Sequence, residues 1–152
     1  MSKFNREAET RLISLLEEKL KLFEQMKEQT VKQTELLVQD EIEAFSESLD
    51  LREKLKEKIN GLHQESEVLM QSYMSSCQAG GRGKVRAIDT LKEKLREIIE
   101  ECQSINEKNY ESAKGKIEDY TKRLKELDTS KKTFNAYTLD IPENSEHFDK
   151  TT

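Results

Sequence analysis

The sequence has few of the residues that interrupt helices or build β-structure. In 152 residues it contains no Trp, one Pro and five Gly, and only nine residues are Phe or Tyr. Because Pro and Gly are the strongest helix breakers, their scarcity permits long helices, and the shortage of aromatic residues disfavours β-rich packing. Hydrophobic residues make up 34% of the chain, against roughly 45–50% in an ordinary globular domain. The composition therefore predicts an all-α protein with a thin core and argues against a sandwich, a barrel or a multilayered enzyme fold.

Cysteines and long apolar segments are also scarce. The only two cysteines, Cys77 and Cys102, are too few for a disulfide framework and too far apart for a redox pair, which suits a reducing compartment. No 18 consecutive residues are apolar, and the first residues lack an apolar run of signal-peptide length. We therefore expect a soluble cytoplasmic protein that does not insert into a membrane.

Charge, by contrast, is abundant and evenly mixed. Charged residues make up 38% of the chain, the formal net charge is −5, and Lys and Glu alternate within single turns, as in residues 53–58. No basic block that could bind phosphate backbones interrupts this pattern, so we predict no nucleic-acid partner. Such mixed runs are typical of solvated helix faces.

Apolar residues recur at helical spacing in three long segments. We predict one helical domain over residues 1–128, with helices at about 7–38, 41–74 and 85–128, a flexible loop at 75–84, and a mostly irregular tail at 129–152. Asp40, followed by Glu43, is the predicted N-cap of the second helix. In the tail, Pro142 prevents a continuing helix.

The helices differ in length. At about 1.5 Å per residue the first two span roughly 50 Å each and the third roughly 70 Å. We therefore predict an antiparallel three-helix bundle or coiled coil with a long, overhanging third helix. The overhang and the tail carry apolar side chains without an obvious partner, and we take residues 117–137 as a partner-binding segment whose candidate residues are Ile117, Tyr120, Leu124, Leu127, Phe134 and Tyr137. Three alternatives remain: the segment folds back, packs on the bundle, or pairs with its copy in a homodimer.

No residues are assigned to catalysis, cofactor binding or metal binding. His63 and His147 have no helical neighbour at ligand spacing, and the segment Gly80–Val85 lacks the residues and the preceding strand of a phosphate-binding loop. Asn109 falls on the apolar seam of the third helix. It either fixes the register from a buried position or lies at the wet end of the bundle.

Five sequence features together resemble the FlgN family of cytoplasmic flagellar export chaperones. They are Leu15–Glu18, Leu36–Asp40, Leu51–Leu55, Asn106 with Asn109, and a tail over 137–150 similar to endings of Gram-positive members.

The resemblance implies a chaperone, not an enzyme, that needs no cofactor. It implies binding of the hook–filament junction proteins FlgK and FlgL through the C-terminal helix, and their delivery to the flagellar type III secretion apparatus. That helix coincides with the segment selected by the length argument, and Tyr120, Leu124 and Leu127 are the expected anchors. The alternative function is a self-associating structural or scaffolding coiled coil.

Overall fold

The computed structural model describes residues 4–80 and 83–137, with side chains as far as Thr129. Three helices make up the described chain: α1 (Arg6–Val38), α2 (Ile42–Gln78) and α3 (Arg86–Tyr137). The described residues contain no strand. The predicted all-α class is therefore confirmed.

Two helix ends differ from the prediction. Helix α2 ends at Gln78 instead of residue 74, so the connector to α3 is shorter than the predicted loop. Helix α3 ends at Tyr137, so the irregular tail predicted from residue 129 is wrong as far as 137, and residues 138–152 lie outside the described chain. The physical reason is that no Gly or Pro occurs between Gly115 and Pro142, so nothing in the sequence stops the helix at 128.

The chain divides into two compact units, Met1–Ser112 and Ala113–Thr152. The single helical domain over 1–128 stays a prediction. The division falls within α3, three residues after Asn109, whose side chain donates a hydrogen bond to Thr30 O on α1. The predicted overhang of the third helix concerns how these two units are placed and stays a prediction.

The reversal between α1 and α2 lies at Asp40, as predicted, but Asp40 does not cap α2. Its φ of 57° is left-handed, its N–H donates to Leu37 O at 3.2 Å, and the N–H of Glu41 donates to Leu36 O at 2.9 Å. This pair of bonds is the Schellman motif, which satisfies the last carbonyls of α1. The N-cap of α2 is Glu41, whose side chain makes no capping bond. Asp tolerates the left-handed conformation better than most residues.

Contacts between the helices fix their directions within the first unit. Helices α1 and α2 are antiparallel, because Arg11 pairs with Glu65 and Gln33 with Ser48. Helices α2 and α3 are antiparallel as well, because Arg52 bonds to Asn106 at one end, while Tyr73 bonds to Asp89 at the other. Helix α3 therefore runs parallel to α1. The first unit is the predicted antiparallel three-helix bundle.

The interior is apolar at the end of the bundle that holds the start of α1. Six buried side chains form its main cluster: Phe4, Leu12, Leu16, Tyr73, Ile88 and Leu95. A second, smaller cluster follows along the bundle and contains Met26, Ile59 and Cys102. Cys102 is thus the small buried hydrophobe that its seam position indicates.

Tyr73 anchors the connector at this end. Its ring packs against Phe4 with centroids 5.3 Å apart, its hydroxyl oxygen accepts from the Val85 N–H at 2.9 Å, and its O–H lies 3.0 Å from the Asp89 carboxylate. Burial, together with the Asp89 carboxylate, raises the pKa of Tyr73 to about 12. The phenol therefore stays neutral and holds the start of α3 against α2.

Candidate partner-binding surface

A buried polar layer on three helices sets the position of α3 beyond the apolar clusters. The Arg52 guanidinium on α2 donates to Gln33 Oε1 on α1 at 3.0 Å and to Asn106 Oδ1 on α3 at 2.6 Å. Gln33 in turn donates to Ser48 Oγ at 3.0 Å. Because one side chain from each helix meets here, a slip of α3 by one turn would break the network.

Asn109 adds a second polar contact one turn further along α3. It is 4% exposed, donates from Nδ2 to Thr30 O at 2.9 Å, and accepts from Thr34 Oγ1 at 2.7 Å. The buried alternative for Asn109 is therefore correct, and the wet-end alternative is wrong. A buried, satisfied Asn is the kind of residue that fixes register in helical bundles.

Beyond this layer, residues 113–137 continue α3 in the second unit. Local interactions support the helix: Arg123 Nη2 lies 3.1 Å from Asp119 Oδ2 one turn away, and Thr121 Oγ1 donates to Ile117 O at 2.9 Å. Nothing lies within 4 Å of a Cβ added at Gly115, so this glycine marks no close packing.

The candidate residues of the second unit are solvent-accessible. Ile117 is 63% exposed, Leu124 52% and Leu127 66%, whereas Tyr120 is half-buried. These four residues, spaced by three or four, share one face of the helix and are called the distal stripe below. Phe134 and Tyr137 also lie in α3, but their side chains are outside the described set.

A second exposed apolar group escaped the sequence prediction. On α2, Ile42 and Leu49 are 44% and 45% exposed, and Val38 at the end of α1 is also exposed. In the sequence, Ile42 and Leu49 continue the helical periodicity of α2, and this periodicity does not distinguish exposed positions from buried ones. The sequence signal for this end of the bundle is its charge, because no Lys or Arg occurs between Lys32 and Arg52.

A surface depression that is open to solvent runs along the first turns of α3, between charged side chains such as Lys84, Arg86 and Glu93. His63 Nδ1 lies 3.3 Å from Lys19 Nζ. Among the described residues no group of three His, Cys, Asp or Glu side chains is placed to hold a metal ion, and no helix is both long and apolar enough to cross a bilayer.

Exposed apolar residues spaced by three or four along one helix face, as in the distal stripe, are typical of helices that bind a groove of a partner protein. The FlgN family model, described as FlgN protein, matches residues 1–142, which include the whole distal stripe. The chain belongs to the FlgN family, a family of flagellar export chaperones. Searches of curated proteins and of solved structures found no match.

Proposed function

We propose that this protein is a cytoplasmic export chaperone that binds hook–filament junction proteins of the FlgK and FlgL type through α3 and delivers them to the flagellar type III secretion apparatus. The distal stripe, with Phe134 and Tyr137 beyond it, forms the client-binding face. The observation that supports this most is the exposure of Ile117, Leu124 and Leu127 on one helix face in a chain of the FlgN family.

The physical basis is burial of this stripe against an apolar helix or groove of the client. Burying a Leu side chain completely stabilises a complex by about 1.5–3 kcal/mol. Leu124 and Leu127 are both more than half exposed, so most of that gain is still available on binding. A few such anchors are enough to hold a client transiently, as an export chaperone requires.

The test compares two substitutions that lie two residues apart in α3, and therefore on different faces of the helix. Leu124→Asp places a carboxylate in the stripe, whereas Lys122→Gln changes the charge by the same amount on the opposite face. We expect Leu124→Asp to weaken binding of purified FlgK- or FlgL-type protein by at least about 30-fold, equivalent to about 2 kcal/mol. Lys122→Gln should bind like the unmodified chain. Isothermal titration calorimetry gives both values, and far-ultraviolet circular dichroism checks that both variants stay helical.

Equal affinities for the two variants would contradict the assignment of the stripe. No binding of either junction protein would contradict the client. The second candidate, a structural coiled coil, is favoured by the same exposed face, because a second copy would cover it equally well. That protein would form an assembly of fixed size that persists on dilution and does not yield to a junction protein, which light scattering distinguishes.

A further inference from the structure

The end of the bundle at the α1–α2 reversal is acidic as well as apolar. Between Lys32 and Arg52 there is no Lys or Arg, and the acidic side chains there are all exposed: Glu35, Asp40, Glu41, Glu43, Glu47 and Asp50. Ile42 and Leu49, seven residues apart, lie on one side of α2 and are nearly half exposed. Glu43 and Asp50, also seven apart, border them. These four residues are called the acidic surface below.

The second unit carries the opposite charge pattern. Residues 113–137 contain seven Lys or Arg against four Asp or Glu, a net charge of +3 in a chain whose total is −5. Ile117 and Leu124 are again seven residues apart, and they are bordered by Lys116 and Arg123. Arg123 is paired with Asp119, but exposed pairs one turn apart are weak and yield to a better partner.

We propose that the acidic surface is a docking site for residues 113–137 of a second copy of this chain. Ile117 and Leu124 of one copy pack on Ile42 and Leu49 of the other, while Lys116 and Arg123 face Glu43 and Asp50. The apolar pairs match in spacing, and the charged borders are opposite in sign. The contact buries two exposed apolar groups at once, and exposed apolar patches of this kind commonly mark protein–protein interfaces.

A charge exchange tests the proposal on the full chain without any client. The surface variant is Glu43→Lys with Asp50→Lys, and the helix variant is Lys116→Glu with Arg123→Glu. In each variant alone, both docking elements carry the same sign. In a mixture, each element of one variant meets an opposite element of the other, so association should return.

Sedimentation equilibrium of the unmodified chain, at about 10–300 μM, is expected to show a concentration-dependent mass above the monomer value of 17.8 kDa. Each variant alone should associate at least 10-fold more weakly, and the equimolar mixture should recover the original affinity. Raising the salt from about 50 mM to about 500 mM should weaken the unmodified association. The matched control, Glu97→Lys with Glu107→Lys, changes two exposed glutamates elsewhere on α3 and should leave the association unchanged.

A chain that stays monomeric over this range overturns the proposal, as does an association that both variants retain or one that the mixture fails to restore. Circular dichroism and thermal unfolding check that all variants are folded. The readout involves no junction protein, so its failure leaves the proposed client separately testable.

Discussion

Replacing Asn109 by Asp tests whether the buried polar layer excludes water, as its burial and hydrogen bonds indicate. Asn109 is 4% exposed and uses both ends of its amide, with Nδ2 on Thr30 O and Oδ1 on Thr34 Oγ1. Asp keeps the shape and the bond from Thr34. It replaces the donor to Thr30 O by a second acceptor, so a carboxylate oxygen faces a carbonyl oxygen without a proton between them.

The expected cost follows from desolvation of the carboxylate. Full burial raises a carboxyl pKa by up to about 3–5 units, and the Thr34 hydroxyl and the Arg52 guanidinium one turn away offset part of this. We expect a rise of about 2 units, which costs about 3 kcal/mol at neutral pH, and the lost Nδ2 bond adds about 1 kcal/mol. The total is a large fraction of the roughly 5–15 kcal/mol that stabilises a typical domain.

The sign of the pH dependence identifies the cause. A carboxyl whose pKa is raised in the folded state is protonated there first as the pH falls, so its destabilisation is present at neutral pH and declines in acid. Urea unfolding followed by circular dichroism should therefore show a stability deficit of about 4 kcal/mol at pH 7 that shrinks to about 1–2 kcal/mol near pH 4.

The double substitution Thr34→Val with Asn109→Leu provides the contrast. It removes both polar partners together and should stay within about 1 kcal/mol of the original stability. An Asp variant as stable as the original at pH 7 would mean that water reaches Asn109. A double variant that loses more than about 3 kcal/mol would mean that the polar layer stabilises the bundle directly.

Three further predictions follow from single residues. The pKa of Tyr73 is about 12 in the folded chain, whereas an unfolded tyrosine ionises near pH 10, so the free energy of unfolding should fall by up to about 1.4 kcal/mol per pH unit between these values. Tyr73→Phe should abolish this alkaline loss of stability. Urea titrations of the variant and the unmodified chain at about pH 9 and pH 11 measure the difference. Cys102 should react with iodoacetamide at least about 10-fold more slowly than Cys77, because burial raises the pKa of the Cys102 thiol and shields its sulfur. Mass spectrometry of timed samples measures both labelling rates, and equal rates would contradict the prediction. Gly61→Ala should raise the free energy of unfolding by about 0.5–1 kcal/mol, because Gly61 lies inside α2 with nothing within 4 Å of an added Cβ. An unchanged or lower free energy of unfolding would contradict the open space around Gly61.

Much of the fold was predictable because helical periodicity and breaker content are local properties. The starts of all three helices and the reversal near residue 40 lie within about a residue of prediction. The predicted end of α3 is too early, because the apolar spacing becomes irregular after residue 128 while the sequence contains no Gly or Pro that would end the helix before Pro142. At Asp40 the capping pattern was ambiguous: the same residue type that caps an N-terminus also adopts the left-handed conformation that ends a helix.

The candidate site divides in the same way. The spacing of Ile117, Tyr120, Leu124 and Leu127 was visible in the sequence, and their common helix face follows from it. The spacing alone does not predict their exposure, because apolar residues have the same helical spacing in a core and on a surface; the difference in helix length was the reason to expect it. Ile42 shows the difference: it has the same pattern as the buried positions of α2, yet it is exposed.

The sequence by itself determined that the chain is helical, where the three helices begin, and which residues share a face, because these follow from interactions over three or four residues. Tertiary structure decided which faces are covered. Asn109 forms its hydrogen bonds with Thr30 and Thr34 on α1, more than 70 residues away in sequence, and no local pattern around Asn109 predicts these partners. Burial depends on what the other helices supply at each level of the bundle, and that is a property of their packing and not of any one segment.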